Sequence, residues 1–149
     1  MPIGELCDLD VGFATRDNTV AEAAELMRHH HVGDLVVVEE ELGQRLPIGM
    51  LTDRDLVVEV LAKNVAINDV TVGDLMSVDL VVAHETDGVY ETIQLMRSRG
   101  VRRLPVVGQH GGLVGIISVD DLLELLAEEI AGLARLVSRE QQREKKTRP

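Results

Sequence analysis

The chain has 149 residues, 45% hydrophobic and 28% charged, which fits a single globular domain and excludes a disordered chain. A formal charge of −11 argues against a nucleic-acid surface, and with Phe13 and Tyr90 as the only aromatic side chains there is no stacking platform for single strands. One cysteine (Cys7), no apolar run near the roughly 20 residues of a membrane span, and no signal-peptide pattern in residues 1–8 together predict a cytoplasmic protein that does not engage membranes.

In chain order, the first clear element is a helix. Thr19 and Glu22 have capping-box spacing, and Ala23, Leu26 and Met27 continue an apolar stripe of helical period. His29, His30 and His31 close it; adjacent histidines point in different directions on a helix, so a solvated helix end is preferred to a metal site. Residues 35–38 are short and β-branched, as a buried strand is, and residues 47–51 return as a second strand after a polar loop within 39–45. Residues 53–61 then turn helical, 63–69 link, and 72–76 form a short helix entering a second series. That series has a strand at 80–83, a helix at 89–99, strands at 104–107 and 113–117 around a loop at 108–112, and a helix from about Val119. Met27, Met76 and Met96 fill apolar helical positions, and Cys7, with no partnered His or Asp in sequence reach, is a small buried or partly buried side chain.

The two series are copies. Sliding the sequence by 69 residues lays Val20, Glu22, Leu26, Met27 and Arg28 over Val89, Glu91, Leu95, Met96 and Arg97, and Val32 and Leu35 over Val101 and Leu104. Past the hairpin the offset becomes 66, so Gly49, Thr52, Asp55 and Leu56 lie over Gly115, Ser118, Asp121 and Leu122. Each copy reads as strand, helix, strand, strand, helix. A three-stranded sheet with one helical face buries little alone, so the copies are expected to pack as one pseudo-symmetric α/β (α+β) domain. The predicted boundaries are 1–70 for the first repeat and 71–127 for the second, with an extended helix and polar tail at 128–149.

Gly-x-x-[Ser/Thr]-x-x-Asp, present in both copies, puts a hydroxyl and a carboxylate one turn apart at a strand-to-helix junction. Free amides there can take a phosphate, the carboxylate can accept from ribose hydroxyls, and the strand glycine leaves room for a ligand to approach. The same spacing is also a capping box that needs no ligand.

The run Leu26-Met27, Val32, residues 35–38, then Gly49, Thr52, Asp55 and Leu56 resembles a CBS motif, the cystathionine β-synthase repeat. Its twin is Leu95-Met96, Gly100-Val-Arg-Arg-Leu-Pro-Val-Val107, then Gly115, Ser118, Asp121 and Leu122. The resemblance spans roughly residues 5–127 and implies a stand-alone CBS pair, a Bateman module with two clefts that bind adenosine-containing ligands of the AMP, ADP, ATP, NAD or S-adenosylmethionine kind. It assigns Thr52 and Ser118 to phosphate or ribose and Asp55 and Asp121 to the ribose hydroxyls. Arg102 and Arg103 would reach the Thr52/Asp55 cleft, with Ala83 and His84 lining the base there.

The copies differ where Arg102 and Arg103 correspond to Gly33 and Asp34, and where Arg54 corresponds to Asp120. Guanidiniums fork onto phosphate and a carboxylate repels it, so one competent cleft is expected, built on Thr52, Asp55, Arg102 and Arg103 with Arg54 as a third cation. Further on, apolar residues recur at 122, 123, 126, 130, 133, 134 and 137, a stripe longer than one repeat needs. Residues 135–149 carry +4, leaving −15 elsewhere. This predicts an interface helix, hence a homodimer, ahead of a solvated tail; folding back on its own module is the alternative. No catalytic arrangement, metal-ligand cluster or Walker loop is found, so the expected function is regulatory ligand sensing, for an unidentified partner or through dimer packing. The alternative is a structural protein that dimerises without a nucleotide.

Overall fold

The computed structural model describes residues 1–148. A short 3-10 turn (Ile3–Glu5) leads to β1 (Phe13–Ala14), α1 (Val20–His30), β2 (Asp34–Glu41), β3 (Gln44–Thr52) and α2 (Asp53–Leu56), which widens into one π-helical turn over Val57–Leu61. Then follow α3 (Val72–Leu75), β4 (Ala83–His84), α4 (Val89–Arg99), β5 (Arg103–Val107), β6 (Leu113–Ser118) and α5 (Val119–Thr147). The strands form two sheets, ordered β1-β2-β3 and β4-β5-β6, each with a parallel first pair and an antiparallel second pair. The duplicated α/β architecture expected from the repeats is therefore present.

Local chemistry explains the elements. Thr19 and Glu22 close their capping box, and α1 ends at His31, which takes the left-handed conformation at φ 55° and donates its N–H to the Met27 carbonyl. The β2–β3 hairpin turns on Leu42 and Gly43, both at positive φ, so the strands run to within two residues of each other where a longer loop was expected. The second copy instead uses the glycine-rich loop 108–112, and this difference accounts for the change of offset.

Each sheet buries one face in its own core. Ala14, Ala23, Met27, Leu35, Val37 and Leu51 build the first, and Ala83, Met96, Leu104, Val106, Ile117 and Leu122 the second. Each core also recruits a segment from outside its repeat. Val72 and Met76 join the first core although they precede the second repeat, and Ile3 and Cys7 join the second although they precede the first. The two segments are equivalent at an offset of 69, Ile3-Gly-Glu-Leu-Cys-Asp8 over Val72-Gly-Asp-Leu-Met-Ser77. They dock identically. Ile3 and Gly4 donate to the carbonyls of Asp87 and Glu85, and Val72 and Gly73 to those of Asn18 and Arg16. Asp8 and Ile116 then exchange two backbone hydrogen bonds of 2.9 Å each across the edge of β6, as Ser77 and Met50 do (2.9 and 3.1 Å) across the edge of β3.

This docking corrects the reading of the two strand glycines. A Cβ on Gly115 would lie 2.6 Å from the Asp8 carbonyl oxygen and 2.7 Å from Cys7 Sγ, and one on Gly49 would lie 2.7 Å from the Ser77 carbonyl oxygen. The space they free is filled by the chain's own exchanged segments. Gly115→Ala is expected to destabilise the protein by about 1–3 kcal/mol through overpacking, read as a lower denaturant midpoint; an unchanged midpoint would contradict the close approach.

Candidate functional site

The strand ends opposite the hairpins come together between the repeats. In the first sheet Asp34 pairs with Thr52, and in the second Arg103 pairs with Ser118. Arg103 crosses from its own repeat so that its Nε lies 3.1 Å from Asp34 Oδ2. These two are counterparts at the 69-residue offset, and the fold joins them as an ion pair, because equivalent positions beside a pseudo-twofold axis face one another. Asp34 is largely buried, its side chain 15% exposed against 43% for Arg103. Burial pushes its carboxyl above the ordinary range, the Arg103 guanidinium pulls it back, and the Asp53 carboxylate adds to the rise.

Both strand-to-helix junctions form closed boxes. Thr52 Oγ1 accepts from the Asp55 N–H (3.2 Å) and Asp55 Oδ2 accepts from the Thr52 N–H (2.9 Å). Ser118 and Asp121 repeat this with the same distances. The capping role is thus realised in both copies, with Thr52 half-buried and Ser118 buried. Removing either hydroxyl, by Thr52→Ala or Ser118→Ala, is expected to cost about 0.5–2 kcal/mol, measured by chemical denaturation.

The remaining candidates separate. Arg54 and Arg102 are exposed; the Arg102 carbonyl accepts from the Val119 N–H (2.9 Å), as the Gly33 carbonyl does from the Asp53 N–H (2.8 Å). Ala83 is fully buried in the second core beside Val106, three residues or about 10 Å along β5 from Arg103. His84 is exposed, its N–H donating to Asp87 Oδ2 (3.0 Å), and it borders a cavity of about 200 Å3 with Thr86 and Gln109 at the hairpin end. A second cavity of about 550 Å3 lies between the two hairpins, lined by Gln44, Arg45 and His110 among others. Thr52, Asp55, Arg103, Ser118 and Asp121 therefore gather at one end of the sheets, and Ala83 and His84 lie towards the other. Asp34 is the group the sequence reading did not count in the site. Its signal was there: opposite charges, Asp34 and Arg103, at one equivalent position of a duplicated unit.

Elsewhere, Cys7 is buried, its thiol pushed up by burial and donating to the Gly4 carbonyl (3.5 Å), so it is a poor nucleophile. His29 and His30 stack edge to face. Among the described residues no group of three His, Cys, Asp or Glu side chains could hold a metal ion, and no helix is long and apolar enough to cross a membrane.

The chain belongs to the CBS-domain family, whose model matches twice, over residues 3–62 and 72–128. An uncharacterized protein of Methanopyrus kandleri, MK0525, is 36% identical over 123 residues, covering 83% of this chain and 61% of that protein. The CBS domain-containing protein YhcV of Bacillus subtilis is 36% identical over 125 residues, covering 83% and 85%. Among solved structures, the CBS domain pair of protein MJ0100, in complex with 5'-methylthioadenosine and S-adenosyl-L-methionine, superposes with a TM-score of 0.71 at 22% identity over 87% of this chain and 98% of that one.

The Asp34–Arg103 contact has a measurable consequence. A carboxyl raised on folding favours the folded state below its unfolded pKa, and that contribution is lost as pH rises through the folded value. Since Arg103 holds the value down, Arg103→Met is expected to raise the Asp34 pKa further, followed by carboxyl-carbon NMR titration. An unmoved pKa would mean the pair does not form in solution.

Proposed function

We propose that this CBS pair is a regulatory module that binds adenosine-containing ligands where its two repeats meet, acting in the cytoplasm as a binding protein and not as an enzyme. The observation that carries the reading is the reach of Arg103 from one repeat to the strand ends of the other. That puts a guanidinium of the second repeat on Asp34, whose partner on the neighbouring strand is Thr52, the first residue of the hydroxyl and carboxylate box Thr52/Asp55. Those are the groups a phosphorylated ribose pairs with. Arg102 and Arg54, both exposed nearby in sequence, supply further positive charge, and the Ser118/Asp121 box, for which the residue equivalent to Arg103 in the other repeat is the anionic Asp34, is the weaker half. Ala83 and His84, which the family resemblance assigns to the base, lie towards the other end of the sheets; Ala83 has no exposed surface to offer, so only His84 is kept as a proposed base contact. The ligand class, AMP, ADP, ATP, NAD or S-adenosylmethionine, rests on family resemblance and on the adenosine compounds bound by the MJ0100 pair.

The mechanism follows from the ion pair. A phosphate that takes Arg103 competes with Asp34, so binding breaks a contact that joins the repeats and shifts how they, or two subunits, pack. Asp34→Asn is therefore expected to tighten AMP binding and Arg103→Ala to weaken it. The two capping boxes favour a second reading, since they are complete as they stand: a structural module without a physiological nucleotide. Thermal melting across AMP, ADP, ATP, NAD and S-adenosylmethionine separates the two. A bound ligand at 100 times its Kd adds about 2.7 kcal/mol, and Arg103→Ala, by weakening binding, should reduce that ligand-induced shift at the same ligand concentration. No shift with any of the five would leave the structural reading standing.

A further inference from the structure

The hairpin ends of the two sheets meet on the far side of the molecule from the Asp34–Arg103 contact. Glu40 lies six residues, or about 20 Å, along β2 from Asp34. There the loop 108–112 of the second repeat seats on the first. A Cβ on Gly111 would lie 3.7 Å from Leu46 Cδ2, and one on Gly112 would lie 3.5 Å from Gln44 Cδ and Oε1, both ordinary contacts. The cavity of about 550 Å3 between the hairpins therefore has a wall from each repeat, Glu40, Gln44 and Arg45 from the first and Gln109, His110 and Val114 from the second. Its volume falls in the range of small-molecule sites, about 300–1,000 Å3. None of the residues assigned to the nucleotide lines it.

Its charges come as a facing pair. Glu40 and Arg45 are partners across β2 and β3, so both side chains stand on one face of the hairpin. Arg45 Nε lies 4.0 Å from Glu40 Oε1, with the side chains 53% and 74% exposed. A contact so long and so wet contributes little and opens readily. Arg45 is held by other means: its Cζ lies 4.2 Å from the centre of the Phe13 ring, a cation–π stack that leaves the edge of the guanidinium free to fork onto a carboxylate. In the opposite wall, the N–H groups of Gln109 and His110 donate to no other group among the described residues. One carboxylate against one guanidinium leaves the lining balanced. Glu39 and Glu41, exposed on either side of Glu40, penalise a lone anion such as phosphate. A molecule carrying both charges meets both partners, and Leu113 and Val114, half-buried in the same lining, offer it an apolar surface.

We propose that the hairpin cavity is a second ligand site, for an aliphatic α-amino acid of the leucine kind bound as its zwitterion. The carboxylate pairs with Arg45 and the free N–H groups of the loop, the ammonium pairs with Glu40, and the side chain lies along Leu113 and Val114. This site stands apart from the nucleotide reading and is tested without nucleotide. Backbone amide NMR spectra of the full chain are followed as L-leucine is added, and the Gln44, Gln109 and His110 amides should shift and saturate. Isocaproate is leucine without its ammonium and isoamylamine is leucine without its carboxylate. Each should bind at least about tenfold more weakly than leucine, having lost one charge-assisted contact. Arg45→Gln and Glu40→Gln should each weaken leucine by a similar factor and leave the unliganded melting temperature unchanged, because both side chains are exposed. Spectra that L-leucine does not move, or shifts confined to residues around Thr52 and Ser118, would overturn the site. Isocaproate or isoamylamine binding as tightly as leucine would overturn the zwitterion, as would wild-type affinity in either variant.

Discussion

Two small sheets become one protein here because each borrows the strand-like segment that precedes the other repeat. The open edge of β6 is closed by Asp8 and that of β3 by Ser77, through reciprocal backbone hydrogen bonds. Unpaired sheet edges are a liability, and three strands are near the lower limit of independent stability. The exchange removes both problems and ties the first residues of the chain to its last strand. It also explains the glycine in each Gly-x-x-[Ser/Thr]-x-x-Asp motif, since a side chain there would collide with the docked segment.

With the edges closed, the strand ends near the pseudo-twofold axis face each other, and what occupies them becomes a matter of charge. A symmetric pair of arginines would repel and a symmetric pair of acids would do the same at greater desolvation cost. Asp34 against Arg103 is the arrangement that satisfies both positions, and it breaks the equivalence of the two repeats at the place where a ligand would span them. The asymmetry seen in the residues is therefore structural before it is functional. Any anion recruited by Arg103 must contend with a largely buried carboxylate already in place.

Much of this was legible in the residues. The offset of 69, the capping boxes and the β-branched runs fix the order of elements and the two cores, because those signals are local or repeated. The exchanged segments were legible too, through Gly4 and Gly73 or Leu6 and Leu75, but only to a comparison begun ahead of Val20. The opposite charges of Asp34 and Arg103 at one equivalent position were legible as well, but their contact was not, because contact across the axis depends on how the sheets are set against each other. The last residues of α5 read as a polar tail for want of apolar positions. They are helical to Thr147 because Glu, Gln, Lys and Arg are good helix formers without any packing partner. Pro149, the last residue of the expected tail, lies outside the described residues.

The central claim is that reciprocal exchange makes the repeats a single cooperative unit. Native-state hydrogen exchange tests it most directly, by comparing the Ile116 and Met50 amides, which donate to the exchanged segments, with those of the central strand residues Leu35 and Leu104. The account predicts that all four open only with global unfolding and share one free energy. Fast exchange at Ile116 or Met50, with Leu35 and Leu104 still protected, would contradict it.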